Sequence, residues 1–543
     1  MTTATRTNGR IGNDGKAAVM RAQYAAWPYP QVPLLASLPS THPYELHVDW
    51  LWDRAGRGPA PAQPRIWIAG CGTFQPYAFA QANPRAEIVA TDLSEPSLDV
   101  ARRRCRLHRQ TNVRFAPVDL DDASTWPDGT FDLIECYGVL MNVADPLATL
   151  RGLAAKLNPN GVLRLMVYPH WSRQRVFQLQ RLAKLLGFDA ARREHPAAFR
   201  TFVKRLPAAH PLRYAFTTYA DSKNDAGVVD AFLHAGDRGF TGHQLGALLQ
   251  AAGLVPGHWF HRPWAQPDRM ADALRLGERA QSSVLAYLDL WQELRTNFVV
   301  CAVRADAPSH EVAAPRVHPA FAGADHGLRH RLRLLRLQAL GGKLPSRTGD
   351  DDLRLPARAA RAMARGEVPA DAKVDALLLG GKDHGSRLRP HDDFAGEDAF
   401  LAHAHALRVG RLAPNPLYAH LFAAYELAQV CPELSLPDLE LQLGHWTPWA
   451  DPLEERPVAF GLTPYGTHQR FRVNLAEHLQ RAPLPIANGY AALRLRGDAA
   501  ALQAVQRRLA ACSEVPAIAR DDASLRELAV LLDSYDRLFV TTE

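Results

Sequence analysis

Through the first half of the chain, short apolar runs alternate with stretches of helical period, the pattern of strands buried on both faces with helices laid across them. Residues 66–69 (IWIA) open the series and run into Gly70-Cys71-Gly72. A helical segment follows, and a second apolar run ends on Asp92. Val113 to Leu120 (VRFAPVDL) reads as a third strand ending at Asp119, with Asp121 and Asp122 in an acidic loop beyond it. Phe131 to Leu140 (FDLIECYGVL) reads as a fourth strand that reaches the same edge at Glu135, and Leu157 to Tyr168 (LNPNGVLRLMVY) as a turn feeding a fifth.

From about 172 to 260 the period turns helical. Arg181 to Phe188 (RLAKLLGF) has it, and Phe240 to Trp259 predicts a helix capped by Thr241, stopped at Gly253 and leading into a strand. Phe298 to Arg304 (FVVCAVR) reads as a last strand, so the first domain should span 49–306, behind a tail and an aromatic flap over 1–48. Residues 307–320 look like a linker. Beyond it, helices are expected at 324–341, 355–365, 396–408, 416–430, 500–512 and 524–535, with a polar loop at 342–352, an aromatic and proline-rich stretch at 445–457 and a strand at 538–541. This alternation suits a separate C-terminal α+β domain over 321–543, winged-helix-like or of similar build.

The glycine turn carries the first chemistry. Gly70 and Gly72 let the backbone bend sharply and approach a ligand with no Cβ in the way. Asp92 lies 20 residues after Gly72, where a carboxylate at the end of the second strand can accept both hydroxyls of an adenosine ribose. A dinucleotide fingerprint needs a glycine where Gln75 stands, which argues against NAD. A plain tight turn in an α/β sheet also fits the same residues, so the loop alone leaves the ligand open.

The order of the later signals narrows it. A glycine loop, a strand ending in Asp92, a strand ending in Asp119, a Phe-Asp strand and a Pro159-Asn160-Gly161 turn together resemble the anatomy of a class I S-adenosylmethionine (SAM) dependent methyltransferase, over roughly residues 20–306. The likeness is to bacterial members with I-A-G-C-G-T in the loop and G-V-L-H-H-x-x-D-P after the fourth strand. Here the second motif reads Gly138-Val139-Leu140-Met141-Asn142-Val143-Ala144-Asp145-Pro146, with Met141 and Asn142 in place of the histidines. Phe74 replaces the third loop glycine, and Asn160 stands where the turn usually has Gly, leaving Gly161 to supply a positive φ.

The resemblance implies an α/β, Rossmann-like seven-stranded methyltransferase core with a helical insertion, and SAM as cofactor. It implies that Gly70, Cys71, Gly72, Thr73, Phe74, Asp92, Leu93, Asp119, Leu120 and Glu135 surround SAM, and that Tyr24 and Tyr29, in the QYAAWPYP flap, help to close the site. The C-terminal layout loosely resembles that of bacterial protein-lysine methyltransferases. SAM arrives with an activated leaving group, so the protein mainly aligns a nucleophile and excludes water. Glu135 is a candidate to hold an amine or take its proton, and Tyr137 and His170 are further catalytic candidates. Asn142, Tyr168 and Arg173 are candidates to hold substrate.

Composition sets the limits. At 543 residues the chain exceeds the roughly 250–300 residues of a single core, and 47% hydrophobic content is ample for burial. No apolar run approaches the roughly 18–20 residues of a membrane span, and the first residues lack the apolar core of a signal peptide. The six cysteines, at 71, 105, 136, 301, 431 and 512, show no C-x-x-C spacing, which points to reduced thiols in a cytoplasm and no metal site, with Cys71 and Cys136 as small packing residues. A net charge of +7 is mild for this length and does not call for nucleic acid as a partner. The expected activity is methyl transfer to a nitrogen of a protein side chain, peptide or amino-acid-like metabolite. Transfer to oxygen or carbon of a small natural product, or a SAM-binding scaffold without turnover, is the alternative, and a homodimer is compatible with the sequence.

Overall fold

The structure is a computed structural model. It describes residues 13–37 and 42–260 apart from Trp171, 207–209 and Ala235; Asp289; 297–380 with gaps at 309, 311–313, 323–327, 345–352 and 370–376; and, further on, 456–460, 469–473, 507–517 without 508, and scattered residues between 524 and 541.

Helices α1 (Asn13–Ala26) and α2 (Val48–Arg54) precede β1 (Arg65–Ala69), α3 (Gln75–Ala82), β2 (Glu87–Asp92), α4 (Glu95–Leu107), β3 (Val113–Pro117), β4 (Phe131–Tyr137), α5 (Pro146–Ala155) and β5 (Leu157–Val167). Helices α6 (Gln174–Leu185), α7 (His195–Arg205), α8 (Pro211–Thr218) and α9 (Asp225–Phe232) then form the insertion, before α10 (Gly242–Ala251), β6 (Leu254–Phe260) and β7 (Phe298–Arg304). The seven strands make one sheet in the order β3-β2-β1-β4-β5-β7-β6. Strands β1 to β5 pair in parallel, and β7 runs antiparallel to both of its neighbours. Since β1 has β2 on one side and β4 on the other, the chain crosses in opposite directions from this point, and a crevice opens at the carboxyl ends of the strands.

Local sequence explains why the helices start and stop where they do. Ser94 accepts from the N–H of Ser97 at the head of α4, Asp145 accepts from Leu147 and Ala148 at the head of α5, and Thr241 and Gln244 form a reciprocal capping box on α10. Gly253, with φ +73°, ends α10 as the sequence predicts. Trp67, fully buried in β1, packs on Trp126 and Phe131 and donates its indole N–H to Thr91 at 2.9 Å, which ties the sheet centre to the loop before β4.

Two sequence expectations need correction. The stretch Leu157 to Gly161 is not a turn before the fifth strand: β5 begins at Leu157, and the register slips between Phe131 and Leu133 of β4. Gly161 therefore needs no positive φ; a Cβ there would lie 2.9 Å from the Phe131 carbonyl oxygen, so close strand approach is what calls for glycine. Strands β3 and β4 also end earlier than their apolar runs, leaving Asp119 in a loop and Gly138, at φ +79°, in the bend after Tyr137.

A second hydrophobic core lies within the insertion, built on Leu179, Leu182, Phe199, Phe216, Val228 and Phe232 with Trp27 from the end of the N-terminal helix. Later parts of the chain return to both cores. In the span expected as a linker, Arg316–Val317 forms β8, His318 is buried with Nε2 2.9 Å from the Tyr44 carbonyl, and α11 (Pro319–Ala322) begins. Val317, Phe321, Leu337 of α12 (Leu328–Leu340), Met363 of α13 (Ala357–Ala364) and Leu379 all join the sheet's own core. Leu509 and Leu528 join the insertion's core, with Arg205 paired to Glu514 at 2.6 Å. Of the remaining C-terminal expectations, the helices at 396–408 and 416–430 and the stretch 445–455 lie outside the described residues. The backbone near the end forms an antiparallel three-stranded sheet from Arg456–Phe460, Gln469–Val473 and Val540–Thr541.

Candidate active site

A cavity of about 550 Å³ opens at the carboxyl ends of β1, β2 and β4, within the roughly 300–1,000 Å³ typical of small-molecule sites. Its floor is the glycine loop. Gly70 has φ +80° and a Cβ there would meet a Val139 methyl at 2.3 Å; Gly72 has φ +55° and a Cβ there would meet the Tyr29 carbonyl oxygen at 2.7 Å. The loop is thus clamped between the bend after β4 and the N-terminal segment, and only glycine satisfies both the backbone angle and the space. Thr73 is buried beneath it, donating its backbone N–H to Tyr29 O (3.1 Å) and its hydroxyl to Pro30 O, so it holds the segment and does not line the cavity.

Asp92 ends β2 at the cavity wall. Its Oδ2 accepts from the N–H of Gly72 at 2.8 Å and its Oδ1 from Ser94 at 2.9 Å. Each oxygen keeps acceptor capacity for one hydroxyl of a vicinal pair. Burial pushes the carboxyl above its usual range, and the backbone N–H groups of Ser94, Gly72 and Leu93 pull partly against that. Leu93, Asp119 and Leu120 line the same wall, and Asp119 Oδ2 lies 3.4 Å from Arg21 of the N-terminal helix. Cys71 also faces the cavity, its thiol pushed up by burial and then by Asp92; the buried Cys136 thiol is pushed up to about 12 by burial and Glu135. Both stay protonated near neutral pH, as packing residues would.

Phe74 caps the start of α3 from the cavity edge, and the Arg104 guanidinium lies over its ring at 4.9 Å. Arg104 in turn donates to the carbonyls of Thr73, Val32 and Pro33, so the ring that replaces a glycine backs an arginine that staples the N-terminal segment down.

The opposite wall comes from the flap and the insertion. Tyr24 donates its hydroxyl to Asp230 Oδ1 at 3.0 Å, and Tyr29 to Asp221 Oδ1 at 2.8 Å. With Tyr168 and Tyr219 these groups make a chamber of four phenols and two carboxyls continuous with the floor. Burial, reinforced by Asp221, pushes Asp230 up to about 7, and burial raises Asp221 as well. Tyr24, Tyr29, Tyr168 and Tyr219 are all raised, in each case by burial first, so all four stay neutral.

Glu135 and Tyr137 reach the cavity from β4. Glu135 is buried and pairs with Arg164 of β5 at 3.1 Å, and the Arg164 guanidinium also lies 4.9 Å from the Tyr137 ring. Asn142 lines the wall with its side-chain oxygen buried and, among the described residues, without a hydrogen-bond partner; the Gln75 side-chain oxygen at the loop is in the same state. Besides Thr73, two of the sequence candidates lie outside the lining. His170 uses its backbone N–H on Phe240 O (3.0 Å) with its ring against Phe177, and Arg173 is buried behind Tyr168, bonded to Tyr219 at 2.6 Å and to Asp237 at 3.2 Å. Burial works against the Arg173 charge, but Tyr219, Tyr168 and Asp237 outweigh it and its pKa is raised, so it supports the chamber from behind.

Residues 68–163, from the first strand to the fifth, match the model of a family described as a methyltransferase domain. Over 292 residues the chain is 32% identical to an uncharacterised protein of Synechococcus sp., covering 52% of this chain and 68% of that one. It is 31% identical over 117 residues to the ubiquinone biosynthesis O-methyltransferase of Bordetella avium, 21% of this chain and 46% of that enzyme. The chain belongs to the class I SAM-dependent methyltransferases. It spans less than two thirds of the length of the ubiquinone O-methyltransferases it matches. Among solved structures, PKMT2 from Rickettsia typhi in complex with AdoHcy aligns at 18% identity with a TM-score of 0.39, covering 51% of this chain and 55% of that one.

The methyltransferase's cavity fits its cofactor on its own terms: two glycines that exclude a Cβ, a doubly anchored carboxylate at the end of β2, and amide oxygens at Gln75 and Asn142 that are buried without a hydrogen-bond partner among the described residues. SAM supplies a sulfonium-activated methyl group; Gly70, Gly72 and Asp92 would hold it, with Leu93, Asp119 and Leu120 along its base end. Among the described residues no group of three or more His, Cys, Asp or Glu could hold a metal ion, and no helix is long and apolar enough to cross a membrane.

Sequence reasoning missed Asp221, Asp230, Tyr219 and Arg164. One signal was available: Asp230 is a lone acid inside the apolar run Ala226 to Phe232, a helix buried on every side, where an acid has no structural reason to be. Arg164 sits on a strand, and nothing in the sequence pairs it with Glu135 across the sheet.

Proposed function

We propose that this methyltransferase transfers the methyl group to an amine nitrogen of a protein side chain, peptide or amino-acid-like metabolite. The observation that carries this reading is the chamber wall facing the glycine loop, where Asp221 and Asp230 stand among Tyr24, Tyr29, Tyr168 and Tyr219. An amine is a cation at neutral pH, and carboxylates and aromatic faces are the two groups that attract one in a site withdrawn from water. Burial, reinforced by the neighbouring Asp221, raises Asp230 and leaves it poised near neutrality to exchange a proton. On this reading Glu135, neutralised by Arg164, shapes the wall.

The similarity to ubiquinone biosynthesis O-methyltransferases favours an oxygen acceptor as the second reading. The two make opposite demands on charge. Methyl-labelled SAM incubated with the protein and a lysate of its host separates label in macromolecules from label in small molecules. Asp221→Asn and Asp230→Asn should each cut incorporation by roughly 10²-fold or more, the range for losing a positioned acid or base, with SAM affinity held. Incorporation unaffected by both variants would remove the amine reading.

A further inference from the structure

The amine reading leaves open where the proton goes and what sets the geometry of the group that takes it. Asp230 lies on α9, two residues before its end at Phe232, and its Oδ1 accepts from Tyr24 at 3.0 Å. Its Oδ2 takes no hydrogen bond from the described residues, and the side chain faces the cavity. Behind Tyr24 stands His234, its Nε2 3.3 Å from the Tyr24 oxygen and its ring 6.2 Å away edge-on. The Nδ1 of His234 accepts from the N–H of Gly236 at 3.2 Å, which assigns the proton of the neutral ring to Nε2, pointing at Tyr24. The donors therefore run one way: His234 to Tyr24, and Tyr24 to Oδ1 of Asp230. One end of the carboxyl is fixed by the N-terminal helix and the other is left to the chamber.

We infer that Asp230 is the group that takes the proton from the acceptor amine, and that Tyr24 and His234 are positioning residues that hold its free oxygen toward the chamber. This rests on the amine reading above. A cationic amine enters the chamber and draws Asp230 into its carboxylate form, the displaced proton going to solvent. The ammonium N–H proton then passes to Asp230 Oδ2, and the nitrogen lone pair it leaves behind forms the new N–C bond while the methyl–sulfur bond breaks with its electron pair on sulfur. The methylated ammonium and the thioether leave, and Asp230, now carrying the amine's proton, is back in its starting form, so one turnover gives one proton to solvent. Other charged groups acting on Asp230 are Asp221 of the short 3-10 helix before α9, which raises its pKa, Asp237, which also raises it, and Arg173, which lowers it; the Tyr24 hydrogen bond lowers it too.

The test is proton linkage on the full-length protein saturated with S-adenosylhomocysteine, with Nα-acetyl-lysine methylamide as the amine probe, titrated calorimetrically in buffers of different ionisation enthalpy from pH 5 to 8. The wild type should release close to one proton on binding the probe near pH 6. Asp230→Asn should bind S-adenosylhomocysteine normally and release none. Tyr24→Phe, which removes the donor to the carboxylate, should move the midpoint of proton release upward by roughly one pH unit, the scale of a single hydrogen bond on a carboxylate, and His234→Leu should move it in the same direction by less. Proton release that persists in Asp230→Asn, or a midpoint that Tyr24→Phe leaves in place, overturns this assignment while the amine reading stands. Failure of the wild type to bind the probe, with S-adenosylhomocysteine bound, overturns both.

Discussion

Gly70 and Asp92 make the same pocket in opposite ways, the first by what it lacks and the second by what it holds. Gly70→Ala places a methyl 2.3 Å from Val139 at a φ of +80°, a strain of about 1–3 kcal/mol; thermal denaturation should show the loss, and SAM titration a weaker complex. If Asp92 accepts both ribose hydroxyls, as we propose, Asp92→Ala removes that acceptor, and with hydrogen bonds to a charged group worth about 1.5–3 kcal/mol, SAM affinity should fall by tenfold or more in calorimetry. Asp230 gives a pH signature. Its folded pKa, pushed up to about 7, exceeds that of an unfolded aspartate, so the folded state holds a proton that the unfolded state has lost. Its stabilising contribution is complete at low pH and disappears as pH rises toward 7. Melting temperatures of Asp230→Asn measured from pH 4 to 8 should therefore fall less with rising pH than those of the wild type. That Gly70, Gly72 and Asp92 line the cavity was legible in sequence because strand ends and glycine turns leave a local mark, and Asp119 follows in the loop just beyond β3. Asp221 and Asp230 were not legible, because only the folding of the insertion over the sheet brings them there.

At the scale of elements, the N-terminal segment is the part that does most with least. It takes hydrogen bonds from Thr73, puts the Tyr29 carbonyl over Gly72, and sends Tyr24 and Tyr29 to Asp230 and Asp221. Its hold on the core passes through Arg104 and Phe74. Phe74→Ala should cost about 3–5 kcal/mol, the range for a buried aromatic cut back to Ala, and limited proteolysis should then cleave around residues 27–37 first, with SAM affinity reduced in step. Intact protection of that segment in the variant would mean that Arg104 holds it without the ring. The sequence marked this flap by its aromatics and prolines, and marked the helix at 242–251 by its cap, since both are local signals. It could not show that Leu157 to Gly161 continues a strand, because pairing with Phe131 decides that and pairing is long-range.

For the molecule as a whole, the expected separation between a domain ending near 306 and a later one meets a chain that returns to earlier cores. Val317, Phe321, Leu337, Met363 and Leu379 share the hydrophobic core of the sheet, each buried apolar side chain being worth about 1.5–3 kcal/mol. A protein truncated after residue 306 should melt well below the full chain and bind a hydrophobic dye; equal melting temperatures would mean that the later segments add no stability. The sequence missed this because a return to a distant core leaves no periodicity in the returning segment. The central claim is that the acceptor is an amine, and it is tested most directly by reading the new bond. With ¹³C-methyl SAM, the full-length protein and a host lysate, the labelled product should give its methyl carbon at an N-methyl ammonium shift, and this signal should vanish with Asp230→Asn. A methyl carbon at an O-methyl shift, made equally well by wild type and Asp230→Asn, would contradict it.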